Sequence, residues 1–283
     1  KAPERRIIKC IVWDLDDTLW RGTLLEGDRL ELHPHVEKVI RELDLRGILH
    51  SIASRNDETQ ARQALARFGI EEYFLHPQIG WSAKSESIKR IASALNIGPD
   101  AIAFIDDQTF EREEVSFHLP EVNCLAPDAI PFLDRMPELR PDIISAESAR
   151  RRLMYLEDNL RQIEEQNFKG EAREFLVTLN MQMSIFHARE LDIKRAEELT
   201  LRTNQFNTTG YAYSLEELDF FRQSPVHRLY MVELADRFGK YGIIGLGLLE
   251  CAHDVWIIKL LLMSCRVVSR GVGAGISSQR MSR

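Results

Sequence analysis

Cys10-Ile11-Val12-Trp13-Asp14-Leu15-Asp16-Asp17-Thr18-Leu19-Trp20 is the stretch whose reading decides the fold. The apolar run from Ile7 to Trp13 reads as a strand buried on both faces. It ends abruptly in three acidic residues within four positions, Asp14, Asp16 and Asp17. At the carboxyl end of a strand, where open α/β sheets build their sites, these carboxylates would repel one another. A hard cation such as Mg²⁺ relieves that repulsion and takes carboxylate oxygens readily. The bland alternative is an acidic turn after a strand.

A second strand, Ile48–Ala53, leads into Ser54-Arg55-Asn56-Asp57. Its terminal hydroxyl can hydrogen-bond a phosphoryl oxygen or simply cap the next helix, and Asp57 can cap the helix over Glu58–Phe68. Lys84 precedes a helix reaching Leu95. A lysine there opposes the helix dipole, which a bound anion would offset; the bland alternative is a solvated lysine. The apolar run Ala101–Ile105 again ends in carboxylates, Asp106-Asp107. Two strands delivering acids to one sheet edge point to a site more strongly than either alone. Between them, Arg21–Leu32 reads as a loop or small hairpin and Val36–Arg46 as an amphipathic helix. His33-Pro34-His35 suggests surface capping of that helix rather than metal ligation. Phe110-Glu111-Arg112-Glu113-Glu114 opens a further helix, and Val122–Leu125 is a further short strand. Strands alternate with helices throughout, which predicts a doubly wound parallel sheet.

The series Asp14-x-Asp16-x-Thr18, Ser54, Lys84, Asp106-Asp107 resembles, in order, the four motifs of the haloacid dehalogenase superfamily of phosphohydrolases. The resemblance covers about residues 7 to 135. It implies that Asp14 is the nucleophile and Asp16 the general acid and base. Ser54, with Arg55 beside it, and Lys84 would hold the phosphoryl group. Asp14, the backbone carbonyl of Asp16, and Asp106 would hold Mg²⁺, with Asp107 close by. First principles agree: a carboxylate attacks phosphorus only when its charge and the substrate's are neutralised.

The chain's 283 residues suffice for one large or two ordinary domains. The expected division is a phosphatase-like domain over 1–140, a linker and helix over 141–169, and a second domain over 170–283. Pro131, Pro137 and Pro141 mark the linker, and Leu153, Leu156, Leu160 and Ile163 form an apolar stripe on the helix after it. Beyond it, Leu176–Phe186 reads as a strand and Asp192–Thr200 as a helix, while 202–209 is an amide-rich loop. Leu229–Asp236, Gly242–Cys251 and Val255–Val268 read as antiparallel strands. Arg270-Gly271-Val272-Gly273-Ala274-Gly275 fits R-x-x-G-x-G, the pyrophosphate loop of the GNAT acetyltransferase fold. The fold class expected is therefore α/β: a doubly wound parallel sheet followed by a mixed α/β, GNAT-like domain.

Together, Lys9 to Trp20, Phe104–Asp107 with Phe110–Glu113, 202–207, and Ser264–Val267 with Arg270–Val272 resemble the FkbH-like proteins of polyketide biosynthesis. That resemblance implies a glyceryl transferase and phosphatase. It would take the three-carbon unit of bisphosphoglycerate, remove phosphate, and load glyceryl onto an acyl carrier protein. An acetyltransferase-like cleft suits the carrier's phosphopantetheine arm, with Arg266, Arg270, Gly271 and Gly273 meeting its phosphate. A cysteine is expected to hold the acyl group: Cys265 beside Arg266 first, Cys10 next. Gly273 departs from the pattern, standing where an acidic residue is expected.

A net charge of −7 argues against nucleic acid as a partner. No apolar run reaches the roughly 18 residues that span a bilayer, so no membrane is expected. Cys10, Cys124, Cys251 and Cys265 form no C-x-x-C pair, which disfavours zinc and fits a reduced, cytoplasmic setting. The first residue is Lys, consistent with a piece cut from a longer protein.

Overall fold

The computed structural model describes residues 7–141, 144, 147–202, 208–252 and 255–264. They divide into two units, 1–156 and 157–283, and the boundary falls inside a helix within the connecting stretch expected at 141–169.

In the first unit, strand β1 (Cys10–Trp13) is followed by a small hairpin of β2 (Trp20–Arg21) and β3 (Glu31–Leu32). Then come α1 (Val36–Leu45), β4 (Leu49–Ser54), α2 (Glu58–Arg67), β5 (Gln78–Ile79) and α3 (Lys84–Leu95). β6 (Ile102–Ile105), α4 (Thr109–His118) and β7 (Asn123–Leu125) complete the series. The sheet order is β5-β4-β1-β6-β7, and every pairing is parallel. β1 lies at the centre, with Cys10 opposite both Leu49 and Ile102.

The continuous apolar character of β1 follows from this position, because both of its faces are covered. Ile11 and Trp13 enter a core with Val36, Val39, Ile40 and Leu43 of α1 and Ala61, Ala64 and Leu65 of α2. Cys10 and Val12 enter the opposite core with Ile88, Ile91 and Leu95 of α3 and Val115 of α4. Two helices per face make the sheet doubly wound, as expected. Asp57 caps α2 by accepting from the Gln60 N–H at 2.8 Å. His35 does not cap α1: it stands at the N-cap with φ 74° and makes no capping hydrogen bond.

The proline-bearing stretch is no free linker over its first half. Pro127–Arg135 and Pro137–Leu139 form short 3₁₀ turns that bury Ile130, Leu133 and Leu139 in the first unit's core. Ile8 N–H donates to the Glu138 carbonyl at 2.9 Å, tying the turn to the start of the sheet. The helix α5 (Arg151–Asn167) follows, and Arg152 anchors its start, donating to Asp44 Oδ1 at 3.1 Å and to the Glu72 carbonyl at 2.9 Å. Leu153, Leu156, Leu160 and Ile163 are all exposed.

The second unit contains α6 (Ala172–Thr178), β8 (Gln182–His187), α7 (Ile193–Arg202) and α8 (Leu215–Gln223). β9 (His227–Asp236), β10 (Gly239–Ala252) and β11 (Val255–Met263) follow. Its sheet is antiparallel, ordered β11-β10-β9-β8. Here one expectation is corrected. Leu176 to Thr178 end a helix, and the strand begins only at Gln182. Glu171 and Glu174 form a capping box, while Phe175 and Leu179, four residues apart, are buried together on one side of the turn. Helix α8 answers to Ser214-x-x-Glu217, a capping-box signature that does cap it. Among the described residues no helix is long and apolar enough to cross a membrane.

Beneath β1, Trp13 Nε1 donates to His50 Nδ1 at 3.1 Å, which leaves the His50 proton on Nε2, 3.2 Å from the Ile40 carbonyl. Complete burial lowers the His50 pKa from 6.5 to about 3. The neutral imidazole is the form the fold accepts. Its stabilising effect is therefore complete above pH 6.5 and declines as pH falls toward 3. In urea unfolding, wild type should lose about 2 kcal/mol more between pH 7 and pH 5 than His50→Gln, which keeps a donor and an acceptor but does not titrate.

Candidate active site

The carboxyl ends of β4, β1 and β6 lie side by side, and one ammonium group joins them. Lys84, the first residue of α3, is 3% exposed. Its Nζ donates to the Ala53 carbonyl of β4 at 2.8 Å, ion-pairs with Asp14 just beyond β1, and lies 3.1 Å from Asp106 Oδ2 just beyond β6. The Ser54 hydroxyl, at the end of β4, also favours the ionised form of Asp14. Residues as far apart in sequence as Asp14 and Asp106 thus meet, because the parallel sheet places all its strand ends on one edge.

Burial dominates the electrostatics. It raises the Asp14 pKa to about 6; the Asp106 charge adds to that rise, and Lys84 opposes it. Asp106 and Asp107 are also raised by burial. For Lys84, burial pulls the pKa down, but the Asp14 and Asp106 carboxylates outweigh it and hold the amine charged. One cation does not saturate these acids. Asp106 Oδ2, although near Lys84, is buried without a hydrogen bond of proper geometry. Asp14, Asp106 and Asp107 each offer a ligand oxygen within 4.8 Å of the others. An all-carboxylate set with an unsatisfied oxygen fits a hard, oxygen-seeking divalent cation.

Asp16 is held by a different set of donors. Trp20 Nε1 and the Leu24 N–H donate to its Oδ1 at 2.9 and 3.1 Å, and Asn56 Nδ2 donates to its Oδ2 at 2.9 Å. Its carboxylate is not among the three grouped acids. Thr18 is fully buried; its Oγ1 accepts from the Asp107 N–H at 2.9 Å and donates to Asp107 Oδ1 at 3.3 Å. The threonine of the first motif therefore locks the β1 turn to the β6 turn. Arg112 donates to the carbonyls of Asp106 and Asp107 at 2.6 and 2.8 Å. Arg55 donates from Nη1 to Glu111 Oε1 at 2.8 Å, and Glu114 accepts from the Ser85 N–H and hydroxyl.

Asn56 and Glu111 had been given no role in the sequence. A buried amide two positions beyond the strand-end serine was the available signal for Asn56. For Glu111 there was none, since its partner lies on a distant turn.

Cys10 is corrected as an acyl carrier. It is wholly buried in the core between the sheet and α3, about 13 Å back along β1 from the catalytic edge. Burial pushes its thiol well up, away from the nucleophilic thiolate. Burial also raises the Cys124 thiol. Cys265, Arg266, Arg270, Gly271 and Gly273 lie outside the described residues. His33 and His35 are not part of the grouped acids.

Residues 23–128 match the acid phosphatase family. Human magnesium-dependent phosphatase 1 is 29% identical over 130 residues, which cover 39% of this chain and 74% of that protein. Among solved structures, the N-terminal part of BF1531 from Bacteroides fragilis contains a phosphatase domain and was determined with Mg. It is 25% identical with a TM-score of 0.38, covering 53% of this chain and 39% of that one. The cobalt-bound deoxy-D-mannose-octulosonate 8-phosphate phosphatase of Haemophilus influenzae is 18% identical with a TM-score of 0.35, covering 55% of this chain and 91% of that one. Residues 23–128, within the first unit, are thus similar to acid phosphatases.

Removing the ammonium should expose its electrostatic role. Without Lys84 the Asp14 and Asp106 carboxylates face each other with no protein cation, and an uncompensated buried charge costs about 3 kcal/mol. Lys84→Met should therefore melt lower than wild type in EDTA, and added Mg²⁺ should raise its melting temperature by more than it raises the wild type's.

Proposed function

We propose that this chain is a Mg²⁺-dependent phosphatase that hydrolyses a small phosphomonoester through a phosphoryl intermediate on Asp14. The observation that carries this reading is the meeting of Asp14, Lys84, Asp106 and Ser54 at one sheet edge beside a cluster of three carboxylates. The match to the acid phosphatase family supports the reaction class. The human relative's magnesium dependence supports the metal.

Asp14, Asp106 and Asp107 would hold the Mg²⁺, which when bound supplies positive charge to the phosphoryl oxygens and keeps Asp14 ionised. The Asp14 carboxylate attacks phosphorus; the bond to the leaving oxygen breaks, and Asp16 gives that oxygen its proton. Water then attacks phosphorus and returns a proton to Asp16. The bond to Asp14 breaks, releasing phosphate and restoring both carboxyl groups. Lys84 offsets charge on the transferring group, and Ser54 orients it. Trp20, Leu24 and Asn56 fix the direction of Asp16 while the leaving oxygen changes.

Glyceryl transfer from bisphosphoglycerate to an acyl carrier protein is the finer reading. Its support is the resemblance that runs through both halves of the chain, with an antiparallel sheet in the second unit. The carrier thiol on this chain would then be Cys265. Mass spectrometry after incubation with bisphosphoglycerate separates the two readings. A covalent glyceryl adduct that Cys265→Ala abolishes supports transfer; free phosphate without an adduct supports the phosphatase alone.

Asp14→Asn should lower phosphate release by at least about 10³-fold, since it removes the nucleophile and one metal ligand together. EDTA should do the same to wild type, with recovery on adding Mg²⁺. Release undiminished by EDTA would refute the metal assignment.

A further inference from the structure

The Arg55–Glu111 pair is the feature that the phosphoryl chemistry leaves unused. Arg55 follows the last residue of β4, and Glu111 lies in the first turn of α4, which follows β6. β1 lies between those two strands, so the ion pair reaches from one side of the Asp14-bearing strand end to the other. Its immediate neighbours in the chain are site residues: Ser54 favours ionised Asp14, and Asn56 donates to Asp16. Asp16 is the group that protonates the leaving oxygen in the mechanism above. Arg55 therefore stands in the chain between a residue that acts on Asp14 and one that is bonded to Asp16.

Stability is a poor reason for this arrangement. The Glu111 side chain is 4% exposed, and its Oε2 is buried with no hydrogen-bond partner. Burying a carboxylate is costly, whereas an ion pair with a part-exposed arginine returns little. Arg55 keeps 41% of its side chain exposed, with Nη1 2.8 Å from Glu111 Oε1. A guanidinium has five N–H donors in a planar fork. Held at Nη1 by a buried acid and part-exposed, it carries donors of the kind that grip a carboxylate or phosphate through two bonds.

We propose that Arg55 binds a second anionic group, a carboxylate or phosphate, on the leaving-group portion of the substrate, and that Glu111 positions it. This rests on the phosphatase reading for the place of the substrate. It moves Arg55 from the transferring phosphoryl group to the far end of the molecule, and it narrows the substrate class to phosphomonoesters with a second negative charge a few bonds from the ester oxygen.

A matched pair of non-hydrolysable ligands tests it. 3-Phosphonopropionate and propylphosphonate differ only in the distal carboxylate. Titration calorimetry with Mg²⁺ present should show wild type binding the carboxylate-bearing ligand at least about tenfold more tightly. Arg55→Gln should bring the two within about twofold. In Glu111→Gln the preference should weaken without vanishing. Turnover of phosphoglycolate by that variant should show a raised KM at little-changed kcat, a split that general loss of structure would not give. Equal binding of both ligands by wild type, or an undiminished ratio in Arg55→Gln, overturns the proposal. A clear preference in a protein that releases no phosphate from any monoester would leave the subsite standing and remove the phosphatase reading instead.

Discussion

A single buried ammonium holds the site together. Lys84 Nζ meets a carbonyl from β4 and a carboxylate beyond each of β1 and β6, so one charge ties three adjacent strand ends. The arrangement is electrostatically tense. Two carboxylates have been taken out of water around one cation, and burial lifts both toward the protonated form. A second positive charge would resolve that tension, and the proposed divalent cation would supply it. The position of Lys84 at the start of α3 follows from the same demand. The helix dipole disfavours a cation there, and only the acids facing it make the place tolerable.

Around this centre the loops are tied in pairs. Thr18 binds the turn after β1 to the turn after β6 through Asp107. Asn56 binds the turn after β4 to the turn after β1 through Asp16. Arg55 and Glu111 join the β4 turn to α4, while Glu114 joins α4 to the first residues of α3. Each tie is modest alone. Together they leave Asp14, Asp16 and Asp107 little freedom to drift, and positioning is most of what the proposed phosphoryl transfer would ask of a protein.

Much of this edge was legible in the sequence because the physics there is local. A strand buried on both faces shows as an unbroken apolar run, and an acid at its end shows as an abrupt change of character; Asp14 and Asp106 were visible for that reason. The doubly wound order was legible from alternation alone. What stayed hidden depends on which turn meets which. Glu111 looks like any acidic residue in a helix's first turn until Arg55 is found opposite. Cys10 sits in a motif-like run, yet its strand parity sends it into the α3 side of the core. Leu176 to Thr178 mixes apolar and polar residues in a way that suits a strand as well as a helix. The Glu171 capping box and the burial of Phe175 with Leu179 decide for the helix. Pro131 and Pro137 suggested a linker, but short 3₁₀ turns accept proline and still bury Leu133 and Leu139.

The central place of β1 also bears on how the first unit is made. This strand is synthesised before both of its neighbours, which begin at Leu49 and Ile102. At ribosomal rates the second neighbour appears on the order of ten seconds after the first strand has been made. Through that interval an apolar tetrapeptide, with Asp14 and its fellow acids directly behind it, waits with one edge and both faces uncovered. Those acids, with Lys9 on the strand's other flank, are charges near enough to discourage the waiting strand from pairing with its like on a neighbouring nascent chain.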